Sequence, residues 1–369
     1  MKIFSLILLT VFIVPKMIAQ DKNRNLIIGT YTNSCESQGI YVYDFNTKTA
    51  DFKEKFFSEK TINPSYLTVS NDAKFIYSVN ENGSKSTVSA YTFNSKSGAL
   101  QLVNQQDSKG ADPCHIINDA KNLIVATYSG GSISVFKKLL DGSISEAKQV
   151  VQHKGKSINA QRQESTHVHM VQFTPDKKFV LANDLGTDKI YIYKYNQNSK
   201  NKILEIKDSV AVKAGSGPRH LTFSNDGKFV YLLQELNGGL TVYSCKKGTL
   251  KMIQETSVVV PDFKGQIGAA DIHVSPNGKF LYATNRGSAN TISCFRIQNN
   301  GQLELVETVS TDGIGARNFV IDPTGNYLLV AHQYSNSIII FSINSSTGKL
   351  SNSGKRIDLC APVCLVFDK

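Results

Sequence analysis

The segment LTFSNDGKFVYLLQE at residues 221–235 recurs in similar form along the chain, and this repetition predicts the fold. The copies are LTVSNDAKFIYSVNE at 67–81, HIINDAKNLIVATYS at 115–129, VQFTPDKKFVLANDL at 171–185, IHVSPNGKFLYATNR at 272–286 and FVIDPTGNYLLVAHQ at 319–333. Each copy reads as a strand, a tight turn of Asp or Asn with Gly or Lys, and a second strand. Six copies indicate a repeat architecture rather than two unrelated domains.

Each copy is followed by two more segments with strand character, such as ISCFRI at 292–297 and LELVETV at 303–309. Four strands about every 50 residues are typical of a β-propeller blade. The N-terminal segment Asn25–Phe57 supplies three strands without an inner one, and APVCLVF at 361–367 resembles a lone inner strand. We therefore predict an all-β, seven-bladed β-propeller with four antiparallel strands per blade, closed by pairing the N- and C-terminal strands.

The first residues match a secretory signal. Lys2 supplies a positive start, residues 3–14 form an apolar run and Ala19 precedes a plausible cleavage point. We predict a signal peptide at 1–19, a single propeller domain at 20–369, and an exported protein, periplasmic or secreted. The apolar run is too short for stable membrane insertion.

The net charge of +11 raises the question of nucleic acid. Only seven of the 41 basic residues are Arg, and the lysines are scattered over predicted turns without forming a block. Nucleic-acid surfaces cluster their charge and favour Arg, so we predict no nucleic-acid partner.

Export permits disulfides, and the chain has six cysteines, at positions 35, 114, 245, 294, 360 and 364. None forms a Cys-x-x-Cys pair. We expect burial as small apolar side chains, with one disulfide left open as an alternative.

Ionisable residues concentrate where the first strand of a repeat starts and the second ends, two places that lie at one rim of a propeller. Nine of the fourteen His and Arg residues occupy such positions: His115, His167, His169, His220, His273, His332, Arg219, Arg286 and Arg317. Arg162 lies in the loop before His167, and Glu81, Asp184, Glu235, Asp271 and Gln333 occupy further rim positions. The pattern predicts a polar, net cationic pocket for an anionic small molecule.

Two pairs, His167 with His169 and Asp271 with His273, have the spacing to chelate a metal from one strand face. The arginines nearby would repel a cation, so we predict no metal. The chain has no nucleophile elbow, P-loop or dinucleotide fingerprint, and we predict no cofactor.

Several motifs resemble the propeller-type bacterial 6-phosphogluconolactonases of the lactonase family. They are NAQRQESTHVH at 159–169, GSGPRH at 215–220, QELNGGLTVY at 234–243, AADIHVSPNGKFLYATNRG at 269–287 and ARNFVIDPTG at 316–325. The resemblance implies a metal-independent hydrolase that opens a sugar δ-lactone. Because phosphogluconolactone is a cytosolic intermediate and the chain carries a predicted signal peptide, the expected substrate is left open as 6-phosphogluconolactone or a related aldonolactone.

The fold also resembles fungal carboxymuconate cycloisomerases, whose His, Arg and Glu trio corresponds to His167 or His169, Arg219 and Glu235. Gln234 replaces the Asn usual before that Glu, and Ala316 stands where many relatives have Pro. A muconate-type cycloisomerase and a non-catalytic exported propeller that binds sugars or proteins remain the alternatives to a lactonase.

Lactone hydrolysis needs an activated water, a stabilised oxyanion and a proton for the leaving oxygen. We expect Glu235 or His169 as the base, Arg219 and Arg286 at the oxyanion or an anionic substituent, and His220 or His273 as the proton donor. The predicted catalytic set is His167, His169, Arg219, Glu235 and Arg286. The predicted substrate-binding set is Glu81, His115, Arg162, His220, Asp271, His273, Arg317 and Gln333.

Overall fold

The computed structural model describes residues 23–368 as seven four-stranded antiparallel sheets. The predicted signal peptide lies outside the described residues. Apart from the strands, the described chain has one 3₁₀ turn, Gly83–Lys85. No helix within these residues is long and apolar enough to cross a membrane.

The blades are numbered along the chain, and their strands are given from the hub outward. Blade 1 contains β28 (Pro362–Phe367), β1 (Asn23–Thr30), β2 (Ile40–Asn46) and β3 (Phe52–Phe57). Blade 2 contains β4 (Tyr66–Val69), β5 (Phe75–Asn80), β6 (Thr87–Phe93) and β7 (Leu100–Asp107). Blade 3 contains β8 (Pro113–Asn118), β9 (Asn122–Thr127), β10 (Ser132–Lys138) and β11 (Ile144–Gln152). Blade 4 contains β12 (Val168–Phe173), β13 (Phe179–Asp184), β14 (Lys189–Tyr195) and β15 (Leu204–Ala211).

The other three blades repeat this order. Blade 5 contains β16 (Pro218–Phe223), β17 (Phe229–Gln234), β18 (Gly239–Lys246) and β19 (Thr249–Ser257). Blade 6 contains β20 (Ala269–Val274), β21 (Phe280–Asn285), β22 (Thr291–Ile297) and β23 (Leu303–Ser310). Blade 7 contains β24 (Ala316–Ile321), β25 (Tyr327–His332), β26 (Ser337–Ile343) and β27 (Leu350–Asp358).

Pairing of the two ends of the chain closes the ring, as predicted. Strand β28 pairs antiparallel with β1, with Leu26 opposite Phe367 and Ile28 opposite Leu365. Each inner strand packs beside the inner strand of the next blade, and β28 packs beside β4. Closing the ring places every inner strand at a short sheet edge that faces the hub and is covered by the neighbouring inner strands.

Side-chain hydrogen bonds stabilise the turn between β16 and β17, in the repeat at residues 221–235. Ser224 Oγ donates to Asp226 Oδ1 at 2.7 Å and accepts from the Phe229 amide at 3.0 Å. Gly227 takes a φ of +71°, which favours glycine. The Asp-Gly turn therefore fixes where β16 ends and β17 begins.

The apolar core is divided among the blade interfaces. Seven clusters of buried apolar side chains occur in the described chain, and each joins two neighbouring blades. The cluster between blades 5 and 6, for example, joins Tyr231 and Leu233 to Ile272 and Leu281. Because a twisted sheet buries both faces only against its neighbours, packing between blades holds the ring rigid.

A β-bulge at the start of most inner strands turns an extra side chain toward the hub. In blade 5, Pro218 pairs with Gln234 and His220 pairs with Leu233, so Arg219 has no partner position. The same irregularity in other blades leaves out Cys114, His169 and Arg317. Bulges of this kind re-aim side chains beside functional sites.

The structure contains a disulfide between Cys35 and Cys360, which are 325 residues apart. The expectation of burial as free thiols is therefore wrong for these two residues, and the alternative of a single bridge is the observed one. Cys114, Cys294 and Cys364 are buried free thiols, and Cys245 is half-buried. The disulfide ties the loop between β1 and β2 to the residues just before β28.

Candidate active site

A cavity of about 530 Å³ lies at the rim where first strands start and second strands end. We call it the hub pocket, and it is lined by Glu81, Asp112, Cys114, Tyr128, Ser129, Arg162, His169, Glu235, Gln266, Ile267, Gly268, Arg286, Gly287, Arg317 and Tyr334. Residues from six blades contribute to this lining. Its volume falls within the roughly 300–1,000 Å³ typical of small-molecule sites.

Glu235 is the electrostatic centre of the hub pocket. Its Oε1 accepts from Arg162 Nη2 at 2.6 Å, and its Oε2 lies 2.8 Å from Arg219 Nε and 3.0 Å from Arg286 Nη2. Burial alone would raise the pKa of this carboxyl, but Arg286, Arg219 and Arg162 outweigh it and lower the pKa to about 2. Glu235 is therefore a permanent anion at neutral pH.

The three arginines differ in exposure. The Arg219 side chain is 2% exposed, while those of Arg286 and Arg162 are 15% and 42% exposed. Burial lowers the pKa of Arg286 to about 10, which still leaves the guanidinium charged at neutral pH. Because three guanidiniums share one carboxylate, the pocket keeps positive charge that can act on a ligand.

The chain holds Arg286 in place by a close backbone contact. Gly287 follows it with a φ of +30°, and a Cβ there would lie 2.0 Å from the Gln266 carbonyl oxygen. Only glycine fits this approach of two loops. The Arg286 amide donates to the Gly268 carbonyl at 3.1 Å and fixes the same loop.

Glu81 lies in a different environment from Glu235. Its carboxylate accepts hydrogen bonds from Ser65 Oγ and from the Tyr31 hydroxyl, the latter at 3.1 Å. Burial raises the pKa of Glu81, and the positive charge of Arg317 together with these hydrogen bonds offsets only part of the rise. Arg317 itself lies over the Tyr31 ring, 5.4 Å from its centroid.

His169 is the histidine of the HVH motif that faces the hub pocket. Its Nε2 lies 4.0 Å from Glu235 Oε2. Burial, with the positive charge of Arg219, holds the pKa of His169 well below its usual value, so the ring is neutral at neutral pH.

His167 is placed outside the pocket lining. Its ring stacks on Tyr128 at 4.4 Å between centroids, and its Nε2 lies 3.1 Å from Glu164 Oε1. His167 therefore packs against Tyr128, which itself lines the pocket.

Three of the predicted binding residues form the floor beneath the pocket instead of its wall. The rings of His115 and His220 meet at the hub with centroids 5.5 Å apart, and His220 Nδ1 lies 2.8 Å from Asp271 Oδ1. All three side chains are buried. His273 lies still further along β20, bound to the other Asp271 oxygen at 3.0 Å and 37% exposed, and it does not line the pocket.

Two residues predicted at the rim, Asp184 and His332, do not line the hub pocket. Asp184 is fully buried and accepts from the His167 amide at 2.9 Å, with His153 Nδ1 at 2.8 Å from its other oxygen. His332 is fully buried and packs against Gly313. Both precede the pocket-facing position by one residue, and alternation along a strand turns them away from the cavity.

Within residues 23–368 no group of three or more His, Cys, Asp or Glu side chains is arranged to hold a metal ion. The side chains of the two donor pairs noted in the sequence contact other protein groups or each other. His167 and His169 point to different environments, and His273 and Asp271 bind each other.

The family model of the seven-bladed β-propeller lactonases matches residues 25–367. The chain belongs to this family. A curated lactonase-family relative, a 6-phosphogluconolactonase of Formosa agariphila, is 37% identical over 88% of this chain and 94% of its own length.

Two solved structures are also similar to this chain. A Bacteroides fragilis protein described as a candidate 6-phosphogluconolactonase is 41% identical, with a TM-score of 0.91, over 95% of this chain and 99% of its own. The periplasmic gluconolactonase of Pseudomonas aeruginosa is 34% identical, with a TM-score of 0.89, over 94% of this chain and 99% of its own.

Several pocket residues of this lactonase-family propeller were not predicted from the sequence. Tyr128 occupies the same position in blade 3 that Glu81, Glu235 and Arg286 occupy in theirs, and its hydroxyl accepts from Arg162 at 3.1 Å. Cys114 occupies the bulge position that Arg219 holds in blade 5. Aligning the repeats position by position, without restricting the search to charged residues, would have found both.

The predicted residue Gln333 lines a second cavity, of about 500 Å³. We call this cavity the side pocket, and it is lined by Tyr31, Asn33, Ile62, Asn63, Glu81, Asn82, Gly83, Asp112 and Gln333. Glu81 and Asp112 line both cavities, so the side pocket adjoins the hub pocket.

Proposed function

We propose that this protein is an exported lactonase that hydrolyses a sugar δ-lactone, 6-phosphogluconolactone or a related aldonolactone, in the hub pocket. The observation that carries the proposal is the convergence of Arg162, Arg219 and Arg286 on Glu235 beside a second carboxylate, Glu81. The 6-phosphogluconolactonase and gluconolactonase activities named for the relatives support the reaction class.

The two carboxylates have environments that push their pKa values apart, which separates their roles. Glu235, with a pKa of about 2, is too weak a base to take a proton from water efficiently. Glu81, with a raised pKa, is the better base. We assign proton transfer to Glu81 and assign to Glu235 the positioning of the arginines, in place of the base role expected from the sequence.

In this mechanism Glu81 accepts a proton from the water that attacks the lactone carbonyl. The resulting oxyanion is stabilised by the pocket guanidiniums, chiefly Arg286, and by an N–H of neutral His169. Protonated Glu81 then gives its proton to the ring oxygen as the C–O bond breaks. The product is a hydroxy acid, which ionises and releases one proton per turnover.

His220 and His273 are unsuited to the donor role expected from the sequence. His220 Nδ1 is bound to Asp271, and burial lowers the pKa of His220 to about 4. His273 lies beyond Asp271 and outside the pocket lining.

Export is part of the proposal. The apolar run at residues 3–14 after Lys2 supports a signal peptide. The Cys35–Cys360 disulfide supports an oxidising compartment, and a periplasmic relative supports the same location.

Proton release in a pH-stat tests the proposed reaction. Purified mature protein is mixed with glucono-δ-lactone, 6-phosphoglucono-δ-lactone or a muconolactone, and the spontaneous rate is subtracted. We expect acceleration for at least one sugar lactone and none for the muconolactone. Appearance of diene absorbance from the muconolactone would support a cycloisomerase, and tight sugar binding without proton release would support a non-catalytic binder.

A further inference from the structure

The side pocket has the polar character of a site for an uncharged, hydroxyl-rich group. The side-chain amides of Asn33, Asn82 and Gln333 make no hydrogen bond to any described residue, and Gln333 Oε1 is shielded from solvent without a partner. Each amide offers both donors and an acceptor. Sugar hydroxyls, which both donate and accept, match such a lining.

The charges of the side pocket differ from those of the hub pocket. Among the residues that the structure describes, no lysine or arginine lines the side pocket, and its two carboxylates belong to Glu81 and Asp112. Asp112 accepts from the Gly83 amide at 2.9 Å and from Ser129 Oγ at 2.5 Å. An anionic group would be repelled there, while a neutral polyol would not.

An apolar contact completes the lining. Ile62 is 53% exposed and lies at the side pocket beside the polar amides. The C–H face of a pyranose ring is suited to such a contact.

The wall of the side pocket is held in place by a disulfide and by hydrogen bonds between its loops. Asn33 lies in the loop that Cys35 joins to Cys360, and the Tyr31 amide donates to the Ala361 carbonyl at 3.0 Å. Asn63 Oδ1 accepts from the Thr32 amide at 2.8 Å, and its Nδ2 donates to the Glu81 carbonyl at 2.9 Å. A wall fixed before binding reduces the entropy lost when a ligand binds.

We propose that the side pocket is a carbohydrate subsite, so that the preferred substrate is an aldonolactone carrying a second, uncharged sugar unit. The inference rests on the proposed function, because the lactone ring is placed in the hub pocket next to Glu81. The hub pocket, of about 530 Å³, holds the lactone ring, and the adjoining side pocket, of about 500 Å³, holds the second sugar. A glycosylated lactone uses both cavities.

The subsite is tested by comparing rates for lactones with and without the second sugar. The kcat/KM for glucono-δ-lactone is compared with those for the cellobiono-, maltobiono- and lactobiono-δ-lactones, using the wild-type protein and Asn33→Trp. Asn82→Trp is a second, independent blocking variant. Asn299→Trp, on an exposed turn between β22 and β23, is the matched control.

We expect at least one disaccharide lactone to exceed glucono-δ-lactone in kcat/KM by about tenfold, the effect of one or two net hydrogen bonds. Both blocking variants remove this advantage and leave glucono-δ-lactone turnover and the melting temperature unchanged, and Asn299→Trp changes neither. Equal rates for all four lactones, or equal losses on both substrate types, overturn the subsite. Failure to accelerate any lactone overturns the proposed function and the subsite with it.

Discussion

Arg219 Nε lies 2.8 Å from Glu235 Oε2. This contact joins the bulge residue of β16 to the residue that follows β17 in blade 5. Arg219 also donates to the Ala270 carbonyl in blade 6. This buried pair therefore links two blades at the hub and sets the position at which Arg162 and Arg286 converge. A charged pair so well enclosed is stable only as a complete unit, because loss of one partner leaves the other charge buried and unpaired.

Glu81 is expected to set the acidic limb of the pH–rate profile. Its carboxylate must be ionised to accept a proton, and burial raises its pKa above the ordinary value, so kcat/KM falls as pH drops through that raised pKa. Glu81→Gln should lower kcat by about 100- to 10,000-fold and remove the limb. A Glu81→Gln profile that keeps the wild-type shape and height would assign the base to another group.

Arg317 is expected to favour phosphorylated over plain lactones. Its guanidinium lines the hub pocket and contacts the Tyr31 ring rather than Glu235. Arg317→Gln should raise KM for 6-phosphoglucono-δ-lactone by about tenfold or more, since a hydrogen bond to a charged group contributes about 1.5–3 kcal/mol. The KM for glucono-δ-lactone should change little. Arg356→Gln, at an exposed ion pair, is the control, and a uniform rise for both substrates argues against a phosphate role.

The Cys35–Cys360 disulfide is expected to stabilise the closure of the ring. It spans 325 residues, and cross-links of long loops typically contribute about 2–4 kcal/mol. Cys35→Ser, or reduction of the wild type, should lower the melting temperature measured by circular dichroism. Cys245→Ser, at a free and half-buried thiol, should leave it unchanged. Identical melting of oxidised and reduced protein would show that strand pairing alone closes the ring.

His153 is expected to act on stability and not on catalysis. Its Nδ1 lies 2.8 Å from Asp184, and its Nε2 lies 2.7 Å from the Tyr193 hydroxyl, all within a buried network between blades 3 and 4. His153→Ala leaves buried polar groups without partners and should reduce the free energy of unfolding by about 2 kcal/mol. The kcat/KM of the folded variant should match wild type, and a large loss of turnover would place this network in the mechanism.

The propeller could be predicted from the sequence because each repeat contains recognisable strand and turn residues. The turn built on Ser224, Asp226 and Gly227 recurs with similar residues in blades 2, 4, 6 and 7, and the lone strand at 361–367 indicates how the ring closes. These patterns are local in the sequence, so they can be recognised without a structure. The concentration of Arg219, Glu235, Arg286 and His169 at one rim follows from the same repeat frame.

The depth of each side chain in the hub could not be predicted, because it depends on the bulges. A strand with simple alternation would turn Arg219 and His220 to opposite faces, whereas the bulge lets Arg219 reach Glu235 at the pocket while His220 binds Asp271 beneath it. The same effect separates His169 from His167. The disulfide between Cys35 and Cys360 could not be predicted from their spacing of 325 residues, because only closure of the ring brings the two cysteines together.

A double-mutant cycle on kcat/KM for a sugar lactone measures directly whether Arg219 and Glu235 act together in catalysis. It compares Arg219→Gln, Glu235→Gln and the double variant, each shown to be folded by circular dichroism. If these residues form one unit at the catalytic pocket, each single change should lower kcat/KM by at least about 100-fold, and the double variant should be little worse than either single one. Wild-type turnover in either single variant, or losses that simply add in free energy, would show that the two residues are not one catalytic unit.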